Sequence, residues 1–374
     1  MARVLMLKNR KNELRAMSKI LEENLFPDSL IPLIEIIREE KEYDKKIDPA
    51  TGEFVTERRK LRNGAARKYK VDDLSTERDV TLQNISELFK NRIVLVEYFR
   101  CNLNLYKGYD PEGNTLIIEL NLNLNKYREK SVQIAQYDNL IPVIAIKNKI
   151  DKLKPDDLIA LVEQIRTLNP LKPIAIRIDE IDGYERSLQQ VLTSKDYLLF
   201  DISEQSIRSK EVEYEELANL KIAAKPILIC SPRKRDVEIK DYEHRSYTGL
   251  IDNSGISAFG DYGFVGYGDY GGLSDKLPTK GFANRDYPGR ALALIYSGQK
   301  RAFKSYVCDD VTLGQAGYRQ LMDPILQDRD ELDPSKNCIV YRELDSKIKR
   351  KANCTYQDWK QYTLMRYVQE IPTE

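Results

Sequence analysis

Histidine is nearly absent from this chain: His244 is the only one in 374 residues. A multi-histidine zinc site, a paired-histidine phosphodiesterase and a paired-histidine ribonuclease each need more imidazoles than that. Cysteine is scarce as well. Cys101, Cys230, Cys308, Cys338 and Cys354 stand far apart with no CxxC spacing, so neither a zinc knuckle nor a dithiol redox pair is expected, and the thiols read as reduced and structural. No apolar stretch approaches the roughly 20 residues that cross a bilayer, and the opening MARVLMLKNRKNEL has too short an apolar run for a secretory signal. The expectation is a cytoplasmic chain with no membrane partner. A net charge of +1 excludes a global field toward polyanions, so any nucleic-acid contact has to come from a local patch.

What the chain does have is a set of short apolar runs that close on polar residues: IPLIEII, RIVLVEYF, LIPVIAIKN, KPIAIRIDE, YLLFDIS and PILICSPR. Strands buried on both faces read this way, and parallel strands that alternate with helices imply right-handed βαβ units. The pattern predicts an α/β TIM-like (β/α)8 barrel, with irregular or incomplete closure allowed by a weak seventh strand. VLMLK at 4–8 reads as a short strand or cap, GISAF or GFVGY as the seventh barrel strand, and ALALIYS at 291–297 as the last. The barrel is assigned to residues 1–297, with insertions at 38–75 and 100–125. DPATGEF and DPEGN read as hairpin turns within them. Residues 298–374 form a C-terminal extension that packs on the barrel or on a partner.

The run ends carry Glu35, Glu97, Lys147, Arg177, Asp179, Asp201 and Arg233, which a closed barrel would gather around its mouth. Glu35, Glu97, Asp179 and Asp201 are the candidate catalytic set, with Glu97, Asp179 and Asp201 as ligands for Mg²⁺ or Mn²⁺, hard cations that take oxygen donors. The other reading of the same acids is a buried network of ion pairs with Lys147, Arg177 and Arg233. Lys147, Arg177 and Arg233 are the candidate contacts for a phosphate or other anion, Arg177 and Asp179 sharing one face of a strand.

Two further stretches stand out. ERRKLRNGAARKYK places Arg58, Arg59, Lys60, Arg62, Arg67 and Lys68 beside Tyr69, which suits a nucleic-acid backbone; the alternative is a solvated hairpin arm with the acidic EEKEYD upstream. SGISAFGDYGFVGYGDYGG lacks the GxxxxGK[ST] spacing, so it reads as a strand with a mobile lid in which Asp261 and Tyr262, with Asp269 and Tyr270, face a ligand, or as a tyrosine-lined structural loop.

Taken in order, the N-terminal LK, the KNEL helix, IPLIEI, RIDE, FDIS and FGDYG resemble the beta protein family of bacteriophages and bacteria. That resemblance implies a barrel-like α/β fold and a role in phage and host conflict. Lys8, Glu13, Glu35, Asp201, Asp261 and Tyr262 are the family-like positions, Lys8 among the ligand contacts.

The leading functional expectation is an antiphage defence or counter-defence protein whose barrel mouth binds a phosphate-containing nucleotide or nucleic acid, with metal-dependent hydrolysis of a phosphodiester or phosphate ester. The alternative is a non-catalytic protein–protein interaction module or sensor subunit of a defence complex, using the Gly/Tyr loop and C-terminal helices to hold a protein from the same defence or phage locus. The 23 tyrosines favour the alternative, because tyrosine is a frequent interface anchor.

Overall fold

A computed structural model describes residues 2–60, 64–147, 150, 153–279 and 290–371. Eight parallel strands close into a barrel: β1 (Ala2–Lys8), β2 (Leu30–Ile36), β3 (Val94–Tyr98), β4 (Leu140–Ile146), β5 (Ala175–Ile178), β6 (Tyr197–Asp201), β7 (Lys225–Ile229) and β8 (Gly266–Asp269). They follow sequence order around the ring, and β8 pairs back to β1. Every residue of β4 and β6 is buried, which is why these strands read as unbroken apolar runs: the barrel interior covers one face and a helix layer the other. The crossover helices include Lys11–Glu22, Thr81–Leu88, Leu124–Ile134, Pro155–Leu168, Glu185–Val191 and Glu211–Asn219.

Two strand assignments change. VLMLK lies within β1, a full barrel strand, whereas ALALIYS is not in the barrel. It is β9 (Ala291–Ser297), which pairs antiparallel with β10 (Ala302–Cys308) in a separate sheet. The closing strand β8 has the sequence GYGD, and its glycines explain why hydrophobic patterning underrates it. A Cβ on Gly266 would sit 2.5 Å from the Ala2 carbonyl oxygen, and one on Gly268 would sit 2.6 Å from Ile229 Cδ1 and 2.8 Å from Val4 Cβ. Close approach of β8 to its two neighbours requires hydrogen at those positions.

The insertion after β2 is built of hairpins, as expected. Ile47 and Phe54 bridge across the DPATGE turn, and a second, exposed ribbon pairs Thr56–Lys60 with Ala66–Lys70. The 100–125 segment departs from its expected hairpin. TLIIELNL folds as helix Thr115–Leu122, with Leu116, Ile117 and Leu120 buried at the i, i+1, i+4 spacing of a helical face.

The C-terminal helix Tyr356–Glu370 begins at a capping box, with Thr355 and Asp358 each bonding the other's backbone N–H. It packs against helix Lys11–Glu22 and β9, beside the first helix where a regular barrel keeps its eighth. Tyr367 Oη donates to Asp269 Oδ2 at 2.6 Å, tying this helix to the end of β8. Tyr296, Tyr306, Tyr341, Tyr362 and Tyr367 are all buried, so much of the tyrosine excess lies in the core rather than on an interface. No helix of the described residues is long and apolar enough to cross a membrane.

Candidate functional site

Strand register gathers the rim. Lys8, Glu35 and Glu97 are successive partners across β1, β2 and β3, so their side chains project in one row at the carboxyl ends of the strands. Arg177 on β5 and Asp201 at the end of β6 complete the circle from the opposite wall. The Arg177 guanidinium sits among three carboxylates: Nη1 is 2.7 Å from Glu35 Oε1 and 2.7 Å from Glu97 Oε2, and Nη2 is 2.7 Å from Asp201 Oδ2. Lys8 Nζ bonds Glu35 Oε2 and lies 2.6 Å from Asp275 Oδ1. Lys147 Nζ approaches Glu97 Oε1 at 3.4 Å and Asp201 Oδ2 at 4.0 Å.

An outer tier braces this inner one. Tyr270 Oη donates to Glu35 Oε1 at 2.8 Å, Tyr106 Oη to Asp275 Oδ2 at 2.7 Å, and Arg235 reaches Asp275 Oδ2 at 3.2 Å and Glu204 Oε1 at 2.8 Å. Glu13 accepts the backbone N–H of Lys8 at 2.7 Å, fixing the chain where it leaves β1. Lys8 Nζ also lies over the Phe99 ring at 4.3 Å, where the aromatic face offers a desolvated ammonium partial compensation.

The electrostatics follow from that pairing. Burial works against the Arg177 charge, yet Asp201, Glu97 and Glu35 hold its pKa well above the ordinary value. Lys8 loses hydration to burial as well, but Asp275 and Glu35 outweigh the loss and raise it. Burial alone would raise Glu35 and Asp201. The cations Lys8 and Arg177 bring Glu35 below its usual range, and Arg177 with Lys147 does the same for Asp201. Asp275, despite burial, falls well below the carboxylate range through Lys8. Near neutral pH these groups therefore stay charged, and none of these three carboxylates is poised to exchange a proton there.

Sequence-based expectations divide at this rim. Glu35, Glu97, Asp201, Lys8, Lys147 and Arg177 converge, and their arrangement matches the ion-pair reading of the acids. Asp179 follows the last residue of β5, is half-buried, and stands outside the bonded set just described. The metal reading does not fit the donors. The protein's own guanidinium occupies the point where Glu35, Glu97 and Asp201 meet, and among the described residues no group of three His, Cys, Asp or Glu side chains is arranged to hold an ion.

Asp261 and Tyr262 are not at the mouth. They precede β8, and Tyr262 packs on Tyr214 of helix Glu211–Asn219 and donates to Glu211 Oε1 at 3.1 Å. Tyr270, just after the end of β8, reaches Glu35 in the interior, whereas Asp269, the last residue of that strand, turns to Tyr367 of the C-terminal helix. Arg233 leaves the inner network: its Nη1 contacts the Gly272 carbonyl at 3.3 Å and its guanidinium lies 5.4 Å from the Tyr242 ring. His244 bonds the backbone of Val307 on β10. Tyr106, Asp275 and Arg235 went unsuspected because each sits in a loop after a strand, where apolar periodicity carries no signal.

The second charge-rich region is the exposed ribbon. Arg58 stands directly opposite Lys68, and Arg59 opposite Arg67, so like charges face each other across two successive rungs. Alternation puts Arg58, Lys60, Lys68 and Lys70 on one face with Thr56 and Ala66, and Arg59, Arg67, Tyr69 and Glu57 on the other. The upstream acids do not neutralise it. Glu42 and Asp44 pair with Arg78, while Lys41 bonds Glu77 and Lys45 bonds Asp72, all at the ribbon's base. Within the ribbon, Arg59 with Glu57 is the one ion pair among the described residues. Arg62 lies outside the described residues. Comparison with models of known families and with curated proteins finds no match to this chain.

Proposed function

We propose that this protein binds nucleic acid by the phosphate backbone, through the exposed ribbon Thr56–Lys60 and Ala66–Lys70, and that the rim network braces the barrel that carries it. The observation behind this reading is the pair of like-charged rungs. Facing cations destabilise a two-stranded ribbon, and a polyanion laid along it would relieve that repulsion while releasing its own counterions. A two-stranded ribbon also has the dimensions to enter a major groove. Phage and host conflict, the setting implied by the family resemblance, would supply such a partner. Hydrolysis at Glu35, Glu97, Asp179 and Asp201 is not part of the proposal, because three of these acids are engaged by Arg177 and a base poised near neutrality is what the reaction would require.

The test is fluorescence anisotropy with labelled single- and double-stranded DNA and RNA across a salt series. If the four cations of the acid-free face each neutralise one phosphate of duplex DNA, log K against log salt should fall with a slope of about −3.6. Arg58→Glu combined with Lys68→Glu should abolish binding. Affinity that ignores salt, or that survives this double reversal, rules the proposal out, as does the absence of binding to every oligonucleotide.

A further inference from the structure

A cavity of about 260 Å³ lies at the seam between the barrel's loops and the C-terminal helix. Its charge is one-sided. Arg10 from the loop after β1, Arg233 after β7, Lys276 after β8 and Lys360 from the C-terminal helix all line it, against a single carboxylate, Glu238, which pairs with Lys240 at 2.7 Å. Of the four cations, Arg10 alone has a carboxylate partner among the described residues, Glu13 at 3.3 Å. Arg233 Nε is buried without a hydrogen-bond acceptor.

These positive groups act on one another. Desolvation lowers Lys276, and the neighbouring Arg233 and Lys360 lower it further. The phenol of Tyr356, at the cavity's edge, gives the same sign: desolvation would raise it, but Lys360, Arg233 and Arg10 outweigh that and bring it below its ordinary value. Lys360 Nζ sits 4.4 Å from the Tyr356 ring. The lining also has an apolar part, Leu292 and Leu294 of β9 with Trp359. Cations held together from four separate segments, three of them without a carboxylate partner among the described residues, repel one another, and an anion between them removes the repulsion and supplies the missing acceptor.

We propose that this cavity is a binding site for a small organic phosphate: its phosphate held by Arg10, Arg233, Lys276 and Lys360, its apolar body against Leu292, Leu294 and Trp359. The volume falls just below the usual span of drug-sized ligand pockets, so the guest is smaller than a nucleotide-like ligand, and the site is independent of the ribbon. The guanidinium groups favour phosphate because their planar forks match its oxygens in pairs.

Phenyl phosphate, inorganic phosphate and phenol are the probes, applied to the full chain by isothermal titration calorimetry. Phenyl phosphate should bind at one site per chain and more tightly than inorganic phosphate, and phenol should not bind. Lys360→Gln, a change on a partly exposed helix position that leaves the fold intact, should weaken phenyl phosphate roughly tenfold, the loss of one charge-assisted contact. Arg233→Gln should weaken it at least as much. No saturable binding by wild type, or affinity unchanged in Lys360→Gln, overturns the proposal, as does equal affinity for phenol.

Discussion

The barrel rim and the ribbon are both dense in charge and are built on opposite rules. At the rim, Lys8, Lys147, Arg177 and Arg235 face Glu35, Glu97, Asp201 and Asp275, and Glu35 and Glu97 show 0% exposure. In the ribbon, like charges face like across successive rungs, and water lies on both sides. A desolvated charge must be paired, so a sequence that buries acids has to bury cations at matching positions. An exposed charge carries no such demand, and an uncompensated row of them persists only because screening keeps its repulsion small. The pairing at the rim is accounted for by the needs of folding, whereas the imbalance of the ribbon is not, and this directs functional attention to the ribbon.

Breaking the rim should have the largest effect. Arg177→Met would leave Glu35, Glu97 and Asp201 buried without their central partner, and removing one member of such a set costs about 3–5 kcal/mol. Chemical denaturation should show that loss; a variant within ~1 kcal/mol of wild type would mean the three acids are better solvated than their burial indicates.

Acid sharpens the same contrast. Glu35, Asp201 and Asp275 have folded-state pKa values below their unfolded ones, so their stabilisation is complete above the unfolded carboxylate range of roughly 4 and is lost as pH falls through the folded values. Lys8 is raised, so its contribution is complete below about 10.4 and is lost as pH rises through its folded value. Urea midpoints should hold a plateau between those limits and drop on the acid side; a protein that gains stability on acidification below pH ~4 contradicts this account. Tyr270→Phe, which removes the 2.8 Å bond to Glu35 and little else, should cost less, about 1.5 kcal/mol.

The two regions also differ in how far sequence reveals them. Glu35, Glu97, Arg177 and Asp201 were legible because each closes an apolar run, and an ionic residue at the end of a buried strand has few places to point. Asp275 and Tyr106 were hidden, since loops have no period and their direction is set by tertiary contacts. The closing strand was concealed for a steric reason: Gly266 and Gly268 replace the apolar side chains that would have announced it. Aspartates at 179 and 261 look alike in sequence, yet one falls just past a strand end and the other before a strand begins. In a parallel barrel that distinction decides which end of the cylinder a residue serves. The ribbon's charge was visible at once, but its meaning required the register, because only pairing shows that Arg58 meets Lys68 rather than an acid from EEKEYD.

The smallest expected change in stability is the one that separates the two regions most cleanly. Arg58→Glu converts a repulsive rung into an opposite-charge pair with Lys68, and cross-strand pairs of that kind contribute roughly 0.2–1 kcal/mol. Stability should therefore stay level or rise slightly while nucleic-acid affinity falls, the pattern expected where a local arrangement serves binding at some expense to folding. A comparable reversal at the rim would abolish folding. Differential scanning calorimetry alongside anisotropy reads both quantities on one sample. If Arg58→Glu lowers the melting temperature by several degrees, the facing cations are not in conflict in the free protein, and the physical reason for assigning them a polyanionic partner disappears.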